Sequence, residues 1–244
     1  MPTSTVEDYL KAILLQEEPM GSGSLVPMGQ IGVALEVTPG TVTSMVKTLE
    51  KDGLLRYEPY NGVRLTDDGR QAALEVLRRH RLIELFLVEV LHLNWSEVHE
   101  EAERLEHALS AKLVDRIDAL LGYPTVDPHG DPIPDGQGAL QRRQLHHLNE
   151  CRTGVRCVIA RVSDQDQAFL QFVERHGLKP GTEVIVERDP IAAAVTIHLV
   201  SKDASAEGDA GVGAGSVTIG MDAAAKLWVE DTLWNADNNE DQDA

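Results

Sequence analysis

Residues 38–66 leave the chain little conformational choice. Thr38-Pro39 is a helix start: a hydroxyl that can accept a bond from an orphan N–H, then a ring whose fixed φ suits the first helical position. Val42, Met45, Val46 and Leu49 recur at helical spacing, and Gly53 ends the run. Leu54–Tyr57 and Val63–Thr66 read as short strands around Asn61-Gly62, a dipeptide that tolerates positive φ and marks a hairpin. Upstream, Ser4-Thr5-Val6-Glu7 fits a capping box opening a first helix. That helix carries Tyr9, Leu10, Ile13 and Leu14 and stops before Pro19 and the Gly-Ser stretch at 21–24. Residues 25–37 read as a short second helix. Helix, helix, turn, helix, hairpin is the order of a winged helix-turn-helix over residues 1–66. A small structural α+β domain is the alternative that this order leaves open.

Thr66, followed by Asp67 and Asp68, opens a long helix to about Leu91; Ser96 caps another to about Leu109, and a third runs to Gly122. The apolar stretch 82–93 is too extensive for a monomer surface, so residues 67–138 are expected to form a helical dimerisation domain. Its end, 123–138, is rich in Pro, Gly and Asp and reads as a linker. Beyond it, Val155–Val162, Glu183–Val186 and Val195–Val200 alternate as strands around a short helix at 165–175, which fits a small β-barrel within 139–234. Residues 201–216 read as a mobile Gly/Ala/Ser/Asp loop and 235–244 as a disordered acidic tail. The expected fold is therefore mainly α with a small all-β domain.

Charge constrains function. Forty acids against 22 bases give a net −18, and no segment is basic. Binding to DNA would need a small local basic face or a switch that adds positive charge. Hydrophobic residues at 42 % and charged residues at 25 % are ordinary for a globular chain. No apolar run reaches the ~18 residues a spanning helix needs, so no membrane partner is expected. The N-terminus has neither the basic start nor the apolar core of a secretion signal. Cys151 and Cys157 are too few for a disulfide framework and match no zinc or redox spacing. A reduced, cytoplasmic protein is the default.

The helix expected from Ser96 holds the sharpest chemical signal. Val98, Ala102, Leu105 and Leu109 share one apolar stripe, with His99, Glu103, Glu106 and His107 at its rim. Imidazoles and carboxylates interleaved beside a dry face suit a metal ion, and the bland alternative is a solvated acidic face. His80 and Glu84, at i and i+4 on the preceding helix, could add to a site or simply pair with Arg78, Arg79 and Arg81. A zinc peptidase motif is absent, because His99-Glu100-Glu101-Ala102-Glu103 ends in Glu where the second His is required. The cluster is built to hold an ion and not to hydrolyse a bond.

At this point the chain resembles the diphtheria toxin repressor family of metal-dependent transcriptional regulators. The resemblance runs through Glu-Asp-Tyr-Leu at 7–10, Thr-Val-Thr-Ser-Met-Val at 41–46, Leu-Glu-Lys-Asp-Gly-Leu at 49–54 and Arg-Leu-Thr-Asp-Asp-Gly at 64–69. It continues in Arg-His-Arg-Leu-x-Glu at 79–84, Val-His-Glu-Glu-Ala-Glu-x-x-Glu-His at 98–107 and Asp-Pro-His-Gly-Asp-Pro-Ile-Pro at 127–134. It implies a winged helix, a dimerisation domain and a C-terminal SH3-like domain related to ferrous-transport adaptors. It implies a primary metal site at Asp8, Glu103, Glu106 and His107, and an ancillary site from His80, Glu84 and His99, or from Glu84 with Asp127, His129 and Asp164. Two metal sites per chain would follow. Iron-responsive members carry Met and Cys where Asp8 and Glu103 stand, so the resemblance is to the manganese-responsive branch, with Fe²⁺ as the alternative ion. Lys11 stands where some compact manganese regulators have Glu, and it cannot ligate while charged.

Function then reads as a metal-dependent repressor, a homodimer on an interrupted palindrome of duplex DNA. Thr38, Pro39, Gly40, Thr41 and Ser44 on the recognition helix are small enough to approach bases, with backbone contacts from Lys47, Arg56, Tyr60 and Arg64. The rival is a metal-binding adaptor or metalloenzyme that uses the helix-turn-helix only as scaffold.

Overall fold

A computed structural model describes residues 3–141, 143–163, 166–189, 191–200 and 212–231. They divide into two compact units. The first holds the described residues up to Ile83, with Ala102–Thr125 and Ile133–Gln141; the second holds Glu84–Glu101, Val126–Pro132 and the described residues from Arg143 on.

Helix α1 (Ser4–Glu17) is followed by α2 (Met28–Ala34) and α3 (Pro39–Lys51), then by the strands β1 (Leu55–Glu58) and β2 (Gly62–Leu65). The strands pair antiparallel, Leu55 opposite Leu65. Leu10, Ile13 and Leu14 of α1, Ile31 of α2, and Val42, Val46 and Leu49 of α3 form one buried cluster with Leu55 and Val63 of the hairpin. This is the element order of the winged motif, with local corrections. The cap of α1 is Thr3, one residue earlier than the Ser4 expected; its hydroxyl accepts from Val6 N at 3.4 Å. Helix α2 is shorter than 25–37 because Val26 is drawn into a two-bond bridge with Val63, at 2.8 and 2.9 Å. In the wing, Tyr60 and not Asn61 takes the left-handed conformation (φ 68°). Gly62 faces Val26 so closely that a Cβ would meet its carbonyl oxygen at 2.3 Å, and its φ of 135° already disfavours a side chain.

Thr66 caps α4 (Asp67–Glu89) by accepting from Gly69 N at 3.1 Å. Helix α5 covers Val98–Leu105, shorter than Ser96–Leu109, with turn bonds from Ala108 and Leu109 to the Leu105 carbonyl; α6 is Ala111–Leu120. The apolar stripe also differs from expectation. Val98 and Ala102 are buried, but the next position inward is Glu106, and Leu105 is exposed. Positions 98, 102 and 106 are four apart, so they follow one face of the helix and its terminal turn.

The second unit contains an antiparallel six-stranded sheet in the order β3-β8-β4-β5-β6-β7. Its strands are β3 (His146–His147), β4 (Arg156–Val162), β5 (Glu183–Asp189), β6 (Ala194–Val200), β7 (Val212–Gly220) and β8 (Leu227–Asp231), with α7 at Gln167–Arg175 and α8 at Met221–Ala224. Alternation of period two buries Val184 and Val186 on β5 and Val195 and Ile197 on β6, against Leu170 and Val173 of α7. Cys151 and Cys157 are buried thiols in the same cluster.

One expectation fails here. Residues 212–216, read as loop, belong to β7, whose backbone pairs with β6 along Val195–Ile219 and Ile197–Val217; the glycines there hid the alternation. The segment at 123–138, expected as a linker, carries fixed bonds of its own. Asp127 Oδ1 accepts from the backbone N–H of His129 and of Asp131 at 2.8 and 2.9 Å, and Val162 N donates to the His129 carbonyl at 2.8 Å. A Cβ on Gly130 (φ 87°) would lie 2.0 Å from the Ala160 carbonyl oxygen, so only glycine permits this approach. Residues 201–211 and those after 231 lie outside the described residues, as does Asp164.

Candidate metal centre

Helix α1 and residues 103–107, both in the first unit, present facing sets of charged side chains. On α1, Glu7, Asp8 and Lys11 share one side through i, i+3 and i, i+4 spacing. Opposite them, Glu103 and Glu106 are three apart, and His107 lies in the turn that closes α5, where Glu106 N bonds to Ala102 O at 2.9 Å. His107 Nε2 lies 2.8 Å from Asp8 Oδ1 and 3.3 Å from Glu106 Oε1. Its Nδ1 lies 2.7 Å from Glu7 Oε2, and the other Glu7 oxygen pairs with Arg79 at 2.8 Å. Lys11 Nζ donates to Glu106 Oε1 at 2.6 Å and to Glu103 Oε1 at 2.9 Å. His80 Nδ1 meets the second Glu106 oxygen at 2.6 Å.

Glu106 is the fully buried centre of this network. Burial alone would raise its pKa, but the hydrogen bond with His80 and the charges of His80 and Lys11 hold it below the ordinary value. Burial would lower Lys11, yet Glu106 and Glu103 outweigh that and raise it. His107 is likewise raised against burial by Glu7, Glu106 and Asp8. Asp8 is raised, because burial outweighs the attraction of His107 and Lys11.

Of the four residues expected to form the primary site, Asp8, Glu106 and His107 offer donor atoms that all lie within 4.8 Å of one another. Glu103 instead contacts Lys11, with its side chain about half exposed. Two carboxylate oxygens and one imidazole nitrogen are donors that a hard or borderline divalent cation accepts, so the residues fit a metal of the manganese or iron type. Glu7 is the carboxylate behind His107: by engaging Nδ1 it directs Nε2 toward Asp8 and Glu106.

The ancillary candidates are shared between the two units. His80 lies in the first unit, bonded to Glu106. Glu84, Asp127 and His129, all buried in the second unit, form another three-donor group within 4.8 Å, and His99 Nδ1 approaches Glu84 at 3.1 Å. His129 stacks on Trp95, with ring centroids 4.6 Å apart. Among the described residues, and beyond an approach to the Trp95 backbone, neither of its ring nitrogens has a hydrogen-bond partner; Nδ1 lies 4.0 Å from Glu84 Oε2. Burial keeps it below the ordinary histidine pKa despite the charges of Glu84 and Asp131. A buried imidazole held neutral by its surroundings, beside two carboxylates, suits a cation.

On α3, Thr38 is the cap, accepting from Thr41 N at 3.3 Å, and Pro39 takes the first turn. Thr38, Pro39, Gly40, Thr41, Ser44, Lys47, Arg56 and Tyr60 are exposed. Arg64 is not free: it pairs with Glu58 across the hairpin. Gly40, Ser44 and Lys47 line one groove together with Thr43, Thr48 and Lys51, which the sequence reading omitted. Their i, i+4 series, 40–44–48 and 43–47–51, was the available signal.

Three family matches divide the chain: the iron dependent repressor N-terminal DNA binding domain over residues 1–63, the iron dependent repressor metal binding and dimerisation domain over 66–135, and the FeoA domain over 146–231. The iron-dependent repressor IdeR of Mycobacterium leprae is 35 % identical over 205 residues, covering 79 % of this chain and 88 % of the relative. The chain belongs to the iron-dependent (diphtheria toxin) repressor family. It is a metal-dependent, DNA-binding transcriptional repressor of that family, with a C-terminal SH3-like FeoA domain. The repressor is also 38 % identical over 123 residues to the HTH-type transcriptional regulator MntR of Oceanobacillus iheyensis, covering 50 % of this chain and 81 % of the relative. Among solved structures, a manganese-dependent transcriptional repressor in complex with manganese matches with a TM-score of 0.77 at 36 % identity, covering 93 % of this chain and 99 % of that one. Manganese- and iron-named relatives both occur, and family members are transcriptional regulators.

Proposed function

We propose that this repressor responds to manganese, and that Asp8, Glu106 and His107 hold the ion. The carrying observation is that these three donors converge from α1 of the winged helix and from the turn after α5. The bound cation supplies two positive charges and directional bonds to oxygen and nitrogen. Asp8 ties α1, and with it α3, to residues 106–107; Glu7 fixes the tautomer of His107; and the charge on a −18 chain falls before it meets phosphate. Residues 1–66 then serve as the DNA-reading domain, 67–138 as the metal and dimer domain, and 139–234 as the SH3-like domain. The chain acts as a cytoplasmic homodimer on an interrupted palindrome, with Glu84, Asp127 and His129 as a second cation site, and performs no catalysis.

Manganese is favoured over iron because neither Asp8 nor Glu103 is a soft donor. The test is a gel-shift on the DNA upstream of its own gene, in chelator and with Mn²⁺ or Fe²⁺. Retardation by Mn²⁺ at a lower free concentration than by Fe²⁺, with none in chelator, is expected. Equal retardation in chelator would remove metal dependence, and equal response to Fe²⁺ would remove the manganese assignment.

A further inference from the structure

Lys11 is the unusual member of the first cluster. It stands one turn beyond Asp8 on α1, its side chain is only 8 % exposed, and its ammonium bridges the buried Glu106 and the half-exposed Glu103. We propose that Lys11 is a tethered counter-cation that competes with the metal ion for these two carboxylates, and so sets the affinity of the site. This rests on the reading of Asp8, Glu106 and His107 as ligands.

The geometry gives the argument. Glu106 Oε1 is shared: it lies 2.6 Å from Lys11 Nζ and 3.3 Å from His107 Nε2. An ion bound to His107 and Asp8 must therefore draw on an oxygen that already serves an ammonium. Two cations near one carboxylate in a buried setting repel each other more strongly than they would in water. Glu103 is held by the same ammonium, and it is not one of the three donors that include His107. With a fixed positive charge in place, Asp8, Glu103 and Glu106 are not left mutually repelling when metal is absent. The consequence is a site that fills only at a higher free metal concentration, a set point useful in a sensor and wasteful in a structural metal site.

A merely structural lysine makes the opposite prediction. If Lys11 only organised Glu103 and Glu106, its loss would loosen the ligands and weaken metal binding. The experiment is competition of the full-length protein against a chromophoric chelator for Mn²⁺, following the binding event that His107→Ala removes, with thermal unfolding of the metal-free proteins alongside. Lys11→Gln keeps a hydrogen-bond donor, one bond shorter, without charge, and Lys11→Arg keeps the charge. Lys11→Gln is expected to tighten Mn²⁺ binding by about tenfold or more while lowering the melting temperature of the metal-free protein, and Lys11→Arg to stay within about twofold of wild type. Unchanged or weaker binding in Lys11→Gln, with His107→Ala still defective, would overturn the counter-cation. Wild-type binding in His107→Ala would instead overturn the ligand assignment itself.

Discussion

Replacing His107 by alanine is expected to abolish metal-dependent operator binding. Removing a partner that merely orients a ligand costs about 10–100-fold in metal affinity, so removing the ligand should cost more than about 100-fold. His107 is half-buried and stands in a turn, with its ring against Glu7, Asp8 and Glu106 and outside the hydrophobic clusters. Its loss should therefore spare folding and self-association. Sedimentation of the variant should match wild type, while a gel-shift with saturating Mn²⁺ should show no complex. A variant that binds operator as tightly as wild type would remove the site from its assigned place.

Glu106→Ala should have the largest effect on stability. Glu106 is fully buried and meets Lys11 and His80 with separate oxygens, so its removal takes a buried carboxylate from both an ammonium and an imidazole. Breaking a buried pair from one side costs about 3–5 kcal/mol; since Lys11 keeps Glu103, the lower end, about 3 kcal/mol, is expected. The pH dependence follows from the depressed pKa of Glu106 in the folded protein. A carboxylate with a lowered folded pKa contributes stability above its unfolded value, about 4.3, and loses it as pH falls through the folded one. Urea unfolding should thus show a full difference between wild type and Glu106→Ala at neutral pH, shrinking in acid below about pH 4.3. A difference that persists unchanged into acid would mean that packing and not the ion pair is responsible.

The winged motif was legible because each of its signals is local. Thr38-Pro39 and Gly53 act within one or two turns, and the Leu10, Ile13 and Val42 periodicities specify faces without knowledge of partners. Where the outcome depended on a distant strand, local signals fell short. Val26 leaves the helical pattern because Val63 offers it two backbone bonds, and residues 212–216 are extended because β6 supplies a ladder. The metal cluster follows the same rule. Helical spacing placed Glu103, Glu106 and His107 together, but Asp8 could be joined to them only through the family resemblance. Neither route suggested that Lys11 would bridge Glu103 and Glu106, that Glu7 would stand behind His107, or that His80 would serve Glu106. Those contacts join residues 26 to 100 positions apart in the chain. Leu105 and Glu106 exchanged their expected environments because Lys11 and His80 make a buried carboxylate tolerable, a compensation that hydropathy along one helix does not encode.

The central claim is that one divalent ion is held by Asp8, Glu106 and His107. The most direct measurement is a crystal of the full-length protein soaked in Mn²⁺, with anomalous differences collected above and below the manganese absorption edge. The account predicts a peak bonded to an Asp8 oxygen, a Glu106 oxygen and His107 Nε2. A peak elsewhere with these three side chains still bonded to one another, or none at saturating Mn²⁺, would contradict it.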